Sequence, residues 1–292
     1  MTFTDVRRPV LAGIDAVHPV PAATAWAADE AQRRHLPLRL VHAVPPVPGG
    51  GLLHNDPARH RASTQRGDRA LDDAVAFVRA RHPQLDLSFL LADDYPAWAL
   101  CEQARYAALV VLGSRHLHRA EEILSSGSVA VPVSAQAPCP VVVVAGPEHA
   151  EQQPPSLVVG IDGSPGCQSA VDYAFEAAAL RGAALRAIWV WRPPLFGSLD
   201  EAGALQECHR RLAEATAGRH ESQPDVDVTH EVLRGHPVEE LATAAEHALA
   251  VVVGRRGSEG FSGMRLGSVP HGLLQRARCP VVTVPPTYRG AH

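Results

Sequence analysis

The sequence lacks the segments by which several large classes of protein are recognised. It has no run of about 18 uncharged apolar residues, which a membrane-spanning helix needs. Residues 1–9 contain no apolar stretch of the kind found in secretory signal peptides. Both absences predict a cytoplasmic protein. The formal net charge is only −4, so no long-range field attracts a nucleic acid or an anionic membrane, and any bound anion must be held by local contacts.

Cysteine and catalytic motifs are also scarce. The five cysteines form no CxxC pair and no metal-ligand spacing, which predicts free thiols and no protein metal site. Cys139 and Cys279 stand in matching Cys-Pro contexts, for which packing is the favoured interpretation and redox chemistry the alternative. There is no Walker lysine, no G-x-S-x-G serine and no carboxylate pair beside a glycine loop. We therefore expect no catalytic residues and at most slow ATP hydrolysis.

The chain contains three segments that each occur twice, in the same order. Leu11–Asp15 matches Val158–Asp162, Leu109–Gly113 matches Ala250–Gly254, and Cys139–Val144 matches Cys279–Val284. The offset between matches falls from 147 to 141 to 140 residues, which places an insertion in the middle of the first copy. A length of 292 residues also favours two domains. We predict a duplicated domain at 1–146 and 156–286, joined by a polar, proline-bearing linker at 147–155.

Each copy has the pattern of an α/β domain. Its β-branched runs show no alternation, which is typical of strands covered on both faces and predicts a parallel sheet. Alanine-rich stretches at 169–180 and 238–249 have helical spacing. The order β-α-β-α-β-α-β-α-β predicts two tandem doubly wound parallel five-stranded sheets with flanking helices. A ligand is expected at the carboxyl ends of the strands, near the topological switch point.

The second copy carries a glycine loop after its 251–253 run. Gly254 and Gly257 are followed by nine residues and then by Gly267-Ser268-Val269, which fits G-x2-G-x9-G-[ST]. Glycine allows the backbone to approach a ligand closely, and a following helix offers unpaired N–H groups to an anion. The spacing predicts phosphate binding. The alternative is a flexible loop before a capped helix.

The Gly-Ile-Asp first strand, this loop and the final Cys-Pro-Val-type strand together resemble the universal stress protein family, once per half of the chain. The resemblance implies the adenine-nucleotide α-hydrolase-like fold and an ATP site, with Mg²⁺ or Mn²⁺ held through the phosphates. It implies that Asp162 contacts the adenosine moiety and that Val190 offers backbone atoms to adenine. The implied ribose and phosphate contacts are Gly254, Gly257, Gly267, Ser268 and Val269.

Two qualifications come from the residues themselves. Asp162 also fits a turn or helix-cap role in Asp162–Gly166, and that role is compatible with ligand contact. Arg255, Arg256 and Arg265 are candidates to neutralise phosphate charge, although exposed loop arginines are commonly just solvated.

The first copy departs from the loop pattern. Its corresponding positions are Asp15, Ala43, Gly113, Gly127, Ser128 and Val129. His116 stands where the second glycine belongs, one residue is inserted before Gly127, and Pro132 falls early in the next helix. A side chain at the close-approach glycine obstructs a nucleotide unless the loop takes another path, so binding here is left open. His116 and His118 are not taken as metal ligands, because the chain has sixteen histidines.

The resemblance predicts an ATP-binding protein that senses or signals in the stress response. Two alternatives remain: an adenylating enzyme of the adenine-nucleotide α-hydrolase-like group, and a cyclic-nucleotide-binding or non-nucleotide interaction module. Pairing of the last strands, 141–144 and 281–284, is expected to join the copies as an intrachain pseudo-dimer, since exposed apolar edge strands aggregate. A homodimer of chains is a further expectation, and no nucleic-acid or membrane partner is expected.

Overall fold

The computed structural model describes residues 7–46, 57–114, 129–145, 153–193, 200–257 and 266–288. The chain splits into two compact units, Met1–Pro147 and Glu148–His292. Some of the residues singled out in the sequence lie outside the described residues: His116, His118, Gly127, Ser128 and Arg265.

The first unit alternates strands and helices along the chain. Its strands are β1 (Val10–Gly13), β2 (Leu38–Val44), β3 (Leu87–Asp93), β4 (Leu109–Gly113) and β5 (Val141–Val144); its helices are α1 (Pro21–Arg34), α2 (Pro57–Arg81), α3 (Pro96–Ala104) and α4 (Ala130–Gln136). The strand order is β3-β2-β1-β4-β5, and every pair is parallel. This is the predicted doubly wound α/β arrangement.

The second unit repeats this plan. Its strands are β6 (Ser156–Ile161), β7 (Ala184–Trp191), β8 (Val228–Arg234), β9 (Ala250–Gly254) and β10 (Val281–Val284); its helices are α5 (Pro165–Ala179), α6 (Glu201–Thr216), α7 (Arg219–Ser222), α8 (Pro237–Ala244) and α9 (Ser268–Arg276). The parallel order is β8-β7-β6-β9-β10. The short α7 was not predicted.

One helix is shorter than its sequence pattern indicates. The stretch 238–249 is helical only as far as Ala244, at the end of α8. The chain turns there because its backbone must join the sheet: the N–H of Leu249 donates to the carbonyl of Ser156, at the start of β6. The small residues therefore keep helical spacing as far as residue 249, although the helix itself ends at Ala244.

Burial explains why the central strands lack alternation. Val110, Val142, Val158 and Val252 are fully buried, since helices cover both faces of each sheet. The outermost strands β3 and β8 are partly exposed along their length. None of the helices within the described ranges is long and apolar enough to cross a bilayer.

Strand registers locate the insertion in the first copy. Val10 pairs with Leu38 and Leu157 with Leu185, so β2 and β7 correspond at an offset of 147. Leu38 pairs with Leu87 and Leu185 with Val228, which lowers the offset to 141 at β3 and β8. The extra residues of the first copy therefore lie between β2 and β3, the segment that contains the long helix α2.

Candidate functional site

A cavity of about 320 Å³ opens at the carboxyl ends of β6 and β9, where the strand order of the second unit reverses. Crevices of this kind are where doubly wound sheets bind ligands. Seven predicted site residues all line this cavity: Asp162, Val190, Gly254, Gly257, Gly267, Ser268 and Val269. They come from four separate stretches of the chain, which the fold brings to one crevice.

Asp162 and Gly257 lie next to each other among the residues that line the crevice. A Cβ added to Gly257 would lie 2.6 Å from Oδ2 of Asp162, so the glycine allows the loop to reach this carboxylate. Oδ1 of Asp162 accepts a hydrogen bond from the N–H of Ser164 at 3.0 Å. The turn role considered for Asp162 is therefore present, and it occupies one carboxylate oxygen while the residue still lines the cavity.

The start of α9 supplies hydrogen-bond donors. The N–H of Gly267 donates to the carbonyl of Arg255 at 2.9 Å, and the N–H of His271 donates to the carbonyl of Gly267 at 3.1 Å. Pro270 has no backbone N–H. The first-turn N–H groups of Ser268 and Val269 have no acceptor within their own helix, and both residues line the cavity. These two donors lie at the positive end of the helix dipole, which suits an anion.

Val190 lies in the part of β7 that extends beyond the end of β6. Pairing of β6 with β7 ends at Ile161 opposite Trp189, whereas β7 pairs with β8 as far as Trp191. On the β6 side, Val190 has no strand partner in the described part of the chain, whereas the carbonyl of Trp191 accepts the N–H of Gly235 beyond β8. This free edge can exchange hydrogen bonds with a planar polar ligand, which is the role that the family resemblance implied for Val190.

The loop arginines differ in placement. The exposed side chain of Arg256 lines the cavity, whereas Arg255 does not. Burial lowers the pKa of the Arg255 guanidinium, and the neighbouring Arg256 charge acts in the same direction. Of the two described loop arginines, Arg256 is therefore the one placed to approach a bound phosphate. Across the described ranges, no group of three or more His, Cys, Asp or Glu side chains is arranged to hold a metal ion.

Several lining residues were missed in the sequence. They are Cys167, Trp189, Trp191, Arg192, His236 and Pro237. Burial raises the pKa of the Cys167 thiol, with the Asp162 charge as a further cause. No motif includes these positions. Their place just after a strand is the signal that could have found Arg192, His236 and Pro237, because carboxyl ends of parallel strands converge on the ligand crevice.

Comparison with known proteins agrees with this geometry. A family model described as "Universal stress protein family" matches residues 7–145 and again 155–285. The chain belongs to the universal stress protein family. Its two matched regions make it a tandem member with two universal stress protein domains.

Relatives match along the full chain. A universal stress protein of Mycobacterium tuberculosis is 33% identical over 286 residues, covering 94% of this chain and 95% of that protein. One from Mycolicibacterium smegmatis is 33% identical over 294 residues, covering 95% and 97%. The crystal structure of a universal stress protein from Archaeoglobus fulgidus superposes with a TM-score of 0.71 at 16% identity, covering 95% and 97%, which shows the shared fold.

The first universal stress protein domain has a larger cavity, of about 680 Å³, at the equivalent crevice. Asp15, Ala43, Gly113 and Val129 line it. Gly127 and Ser128 lie outside the described residues. Oδ1 of Asp15 accepts the N–H groups of Val17 at 2.8 Å and His18 at 3.0 Å, so this aspartate organises its turn as Asp162 does.

The extra volume lies on the side of α2. Residues of that helix, among them Arg66, Ala70 and Phe77, line the first cavity, whereas no described residue of α6 or α7 lines the second. By strand register, His42 and Val44 occupy the positions of Trp189 and Trp191. Smaller side chains on β2 thus accompany the larger cavity.

The helix after the loop also begins later in the first domain. At the offset of 140 residues, Ser128 corresponds to Ser268, yet α4 begins at Ala130 whereas α9 begins at Ser268. Pro132 and Pro270 are each the third helical residue, a position that proline tolerates because its missing N–H has no helical partner there. Moving the proline by two residues moves the helix start relative to the Gly-Ser-Val segment.

Proposed function

We propose that this universal stress protein binds ATP in its second domain and acts as a sensor or signalling component of the stress response rather than as an enzyme. The observation that carries the proposal is the convergence of the seven predicted positions on one crevice, beside two helix N–H groups that have no backbone acceptor among the residues the structure describes. A volume of about 320 Å³ is within the usual range of small-molecule sites. A protein with net charge −4 binds a polyanion only with such local donors.

Each lining residue has a defined part in this proposal. The N–H groups of Ser268 and Val269 would hold phosphate oxygens, assisted by Arg256. Oδ2 of Asp162, the oxygen beside Gly257, would accept a ribose hydroxyl, and the backbone edge at Val190 would bond to the base. Mg²⁺ or Mn²⁺ would be held chiefly by the phosphates, which fits a crevice whose donors are backbone N–H groups and an arginine.

The enzyme alternative has weaker support. Adenylation needs a second substrate beside the α-phosphate, and the two family domains together span nearly the whole chain. A cyclic nucleotide is the closer competitor, since it would use the same base and ribose contacts and fewer phosphate donors.

Ligand identification tests the proposal. Native mass spectrometry of freshly purified full-length protein should show a co-purifying adenine nucleotide. Calorimetric titrations with ATP, AMP and cyclic AMP should rank ATP first, because only ATP offers phosphates to both N–H donors and to Arg256. Tighter binding of cyclic AMP would favour the cyclic-nucleotide module. Rapid turnover of ATP with a defined acceptor would favour the adenylating enzyme.

A further inference from the structure

Two tryptophans line the second-domain cavity, and they differ in what surrounds them. Trp189 packs against the protein itself, since a Cβ added to Gly163 would lie 2.9 Å from its Cη2. Trp191 is the last residue of β7, at the open backbone edge described for Val190. Its indole is therefore placed where the base of a nucleotide would lie if Val190 bonds to that base.

One face of the Trp191 ring is already covered. The guanidinium Cζ of Arg234 lies over it, 5.6 Å from the ring centroid, in the range of cation–π contacts. Arg234 is opposite Trp191 on β8 and donates to Oε1 of Glu201 at 2.7 Å. The ring is thus in contact with a cation that forms an ion pair with Glu201, the first residue of α6. Trp191 is also one of the residues that line the cavity, so a planar ligand bound there can contact its ring.

The first domain lacks this arrangement. By strand register Val44 stands at the position of Trp191, and its partner on β3 is Asp93 where the second domain has Arg234. The Asp93 carboxylate lies 3.9 Å from the His60 imidazole instead of over a ring. The pair of Trp191 and Arg234 therefore has no counterpart at the matching strand positions of the first domain, where the aromatic residue Phe77 lines the cavity from α2 instead.

We infer that Trp191 is the stacking platform for the nucleotide base and makes the second domain select purine over pyrimidine nucleotides. The inference rests on the proposed nucleotide binding by this domain. Stacking of a base on an aromatic side chain is sequence-tolerant but strengthens with the area of the base, and purines present two fused rings. Arg234 holds the indole in place, so little side-chain freedom is lost when the base arrives.

The test compares Trp191→Val, which installs the residue of the first domain, with Trp191→Phe, which keeps an aromatic ring. Calorimetry on the full chain would use ATP, UTP and inorganic tripolyphosphate. We expect Trp191→Val to weaken ATP binding by roughly 10- to 100-fold, as for loss of a stacked base. Tripolyphosphate binding should stay unchanged, and the ATP-over-UTP preference should shrink. Trp191→Phe should retain most of the ATP affinity.

Each other outcome has a definite meaning. Wild-type ATP affinity in Trp191→Val would overturn the stacking role while leaving nucleotide binding intact. Equal losses of ATP and tripolyphosphate affinity would assign Trp191 a structural role and also overturn it. Failure of the wild-type chain to bind ATP would remove the proposed function itself, and the stacking role with it. Quenching of tryptophan fluorescence by ATP should persist in Trp189→Phe and largely disappear in Trp191→Phe.

Discussion

At the scale of single residues, Gly67 shows how closely a helix can approach a sheet. It lies inside α2, where glycine costs about 1 kcal/mol relative to alanine. A Cβ there would lie 2.4 Å from Cδ2 of His42 and 2.9 Å from Cδ1 of Leu91. The His42 ring is fixed in turn, because its Nδ1 lies 2.8 Å from the carbonyl oxygen of Ile14.

Gly67→Ala should therefore destabilise the protein although alanine favours helices. Overpacking of this kind costs about 1–3 kcal/mol, which exceeds the propensity gain. The midpoint of urea denaturation, followed by circular dichroism, should fall. Arg66→Ala, one residue away on an exposed position, should leave the midpoint nearly unchanged. A higher midpoint for Gly67→Ala would show that α2 does not approach β2 this closely.

The cysteines give a second residue-scale prediction. All five are free thiols, and all except Cys101 are buried. Burial raises the pKa of both Cys139 and Cys279 to about 12, so their reactive thiolate forms are scarce at neutral pH. Ellman's reagent at pH 8 should modify Cys101 in the folded protein and all five thiols after denaturation. Rapid labelling of Cys139 or Cys279 in the native state would revive the redox interpretation.

The sequence motifs singled out lining residues whose backbone would contact a ligand. They missed lining residues whose side chains form the walls of the cavity. Glycine spacing singled out Gly254 and Gly257, where an added Cβ would lie 3.1 Å from the carbonyl oxygen of Gly166 and 2.6 Å from Oδ2 of Asp162, and also Gly267, where a Cβ would make only ordinary contacts. No sequence motif includes Trp191, because its place in the cavity depends on β7 extending beyond the end of β6 in the sheet. A Gly257→Val variant would not report cleanly on ligand binding, because the added side chain would collide with Asp162.

At the scale of elements, the proposed function places the phosphates at the start of α9. Ser268 is the first helical residue, a position that proline favours, and Gly267 has the extended ψ of 162° that a residue before proline requires. Ser268→Pro should therefore preserve the fold while deleting one of the two free N–H donors. Ser268→Ala removes only the hydroxyl and is the matched control.

We expect Ser268→Pro to weaken ATP binding by about 10-fold or more, as for a charge-assisted hydrogen bond. Ser268→Ala should weaken it much less. Calorimetric affinities would decide, with circular dichroism to verify folding. Equal affinities for the proline and alanine variants would mean that the Ser268 N–H does not contact the phosphates.

Elements were predicted best where one local rule decides them. Uninterrupted β-branched runs became strands, and α1, α3, α5 and α8 each have a proline in the first helical positions. The short α7 follows Gly218 in the left-handed conformation, a turn that depends on the preceding helix ending at Thr216. Boundaries of that kind are set by neighbouring elements, which a local pattern does not contain.

At the scale of the whole molecule, two domains of one fold present different crevices. The second combines a 320 Å³ cavity, two helix N–H donors and an aromatic platform. The first has 680 Å³, a later helix start, and Val44 in place of the tryptophan. Because the strands repeat faithfully, we expect these differences to change binding without changing the fold. Pairing of the last strands of the two domains and a homodimer of chains stay predictions.

The central claim is that each chain binds one ATP, through its second domain. Titration of the full chain with ATP by isothermal calorimetry tests it most directly. We predict a stoichiometry near one per chain for the wild type, with that single site weakened by Ser268→Pro. Two equally tight sites per chain, or one site whose affinity Ser268→Pro leaves unchanged, would contradict the account.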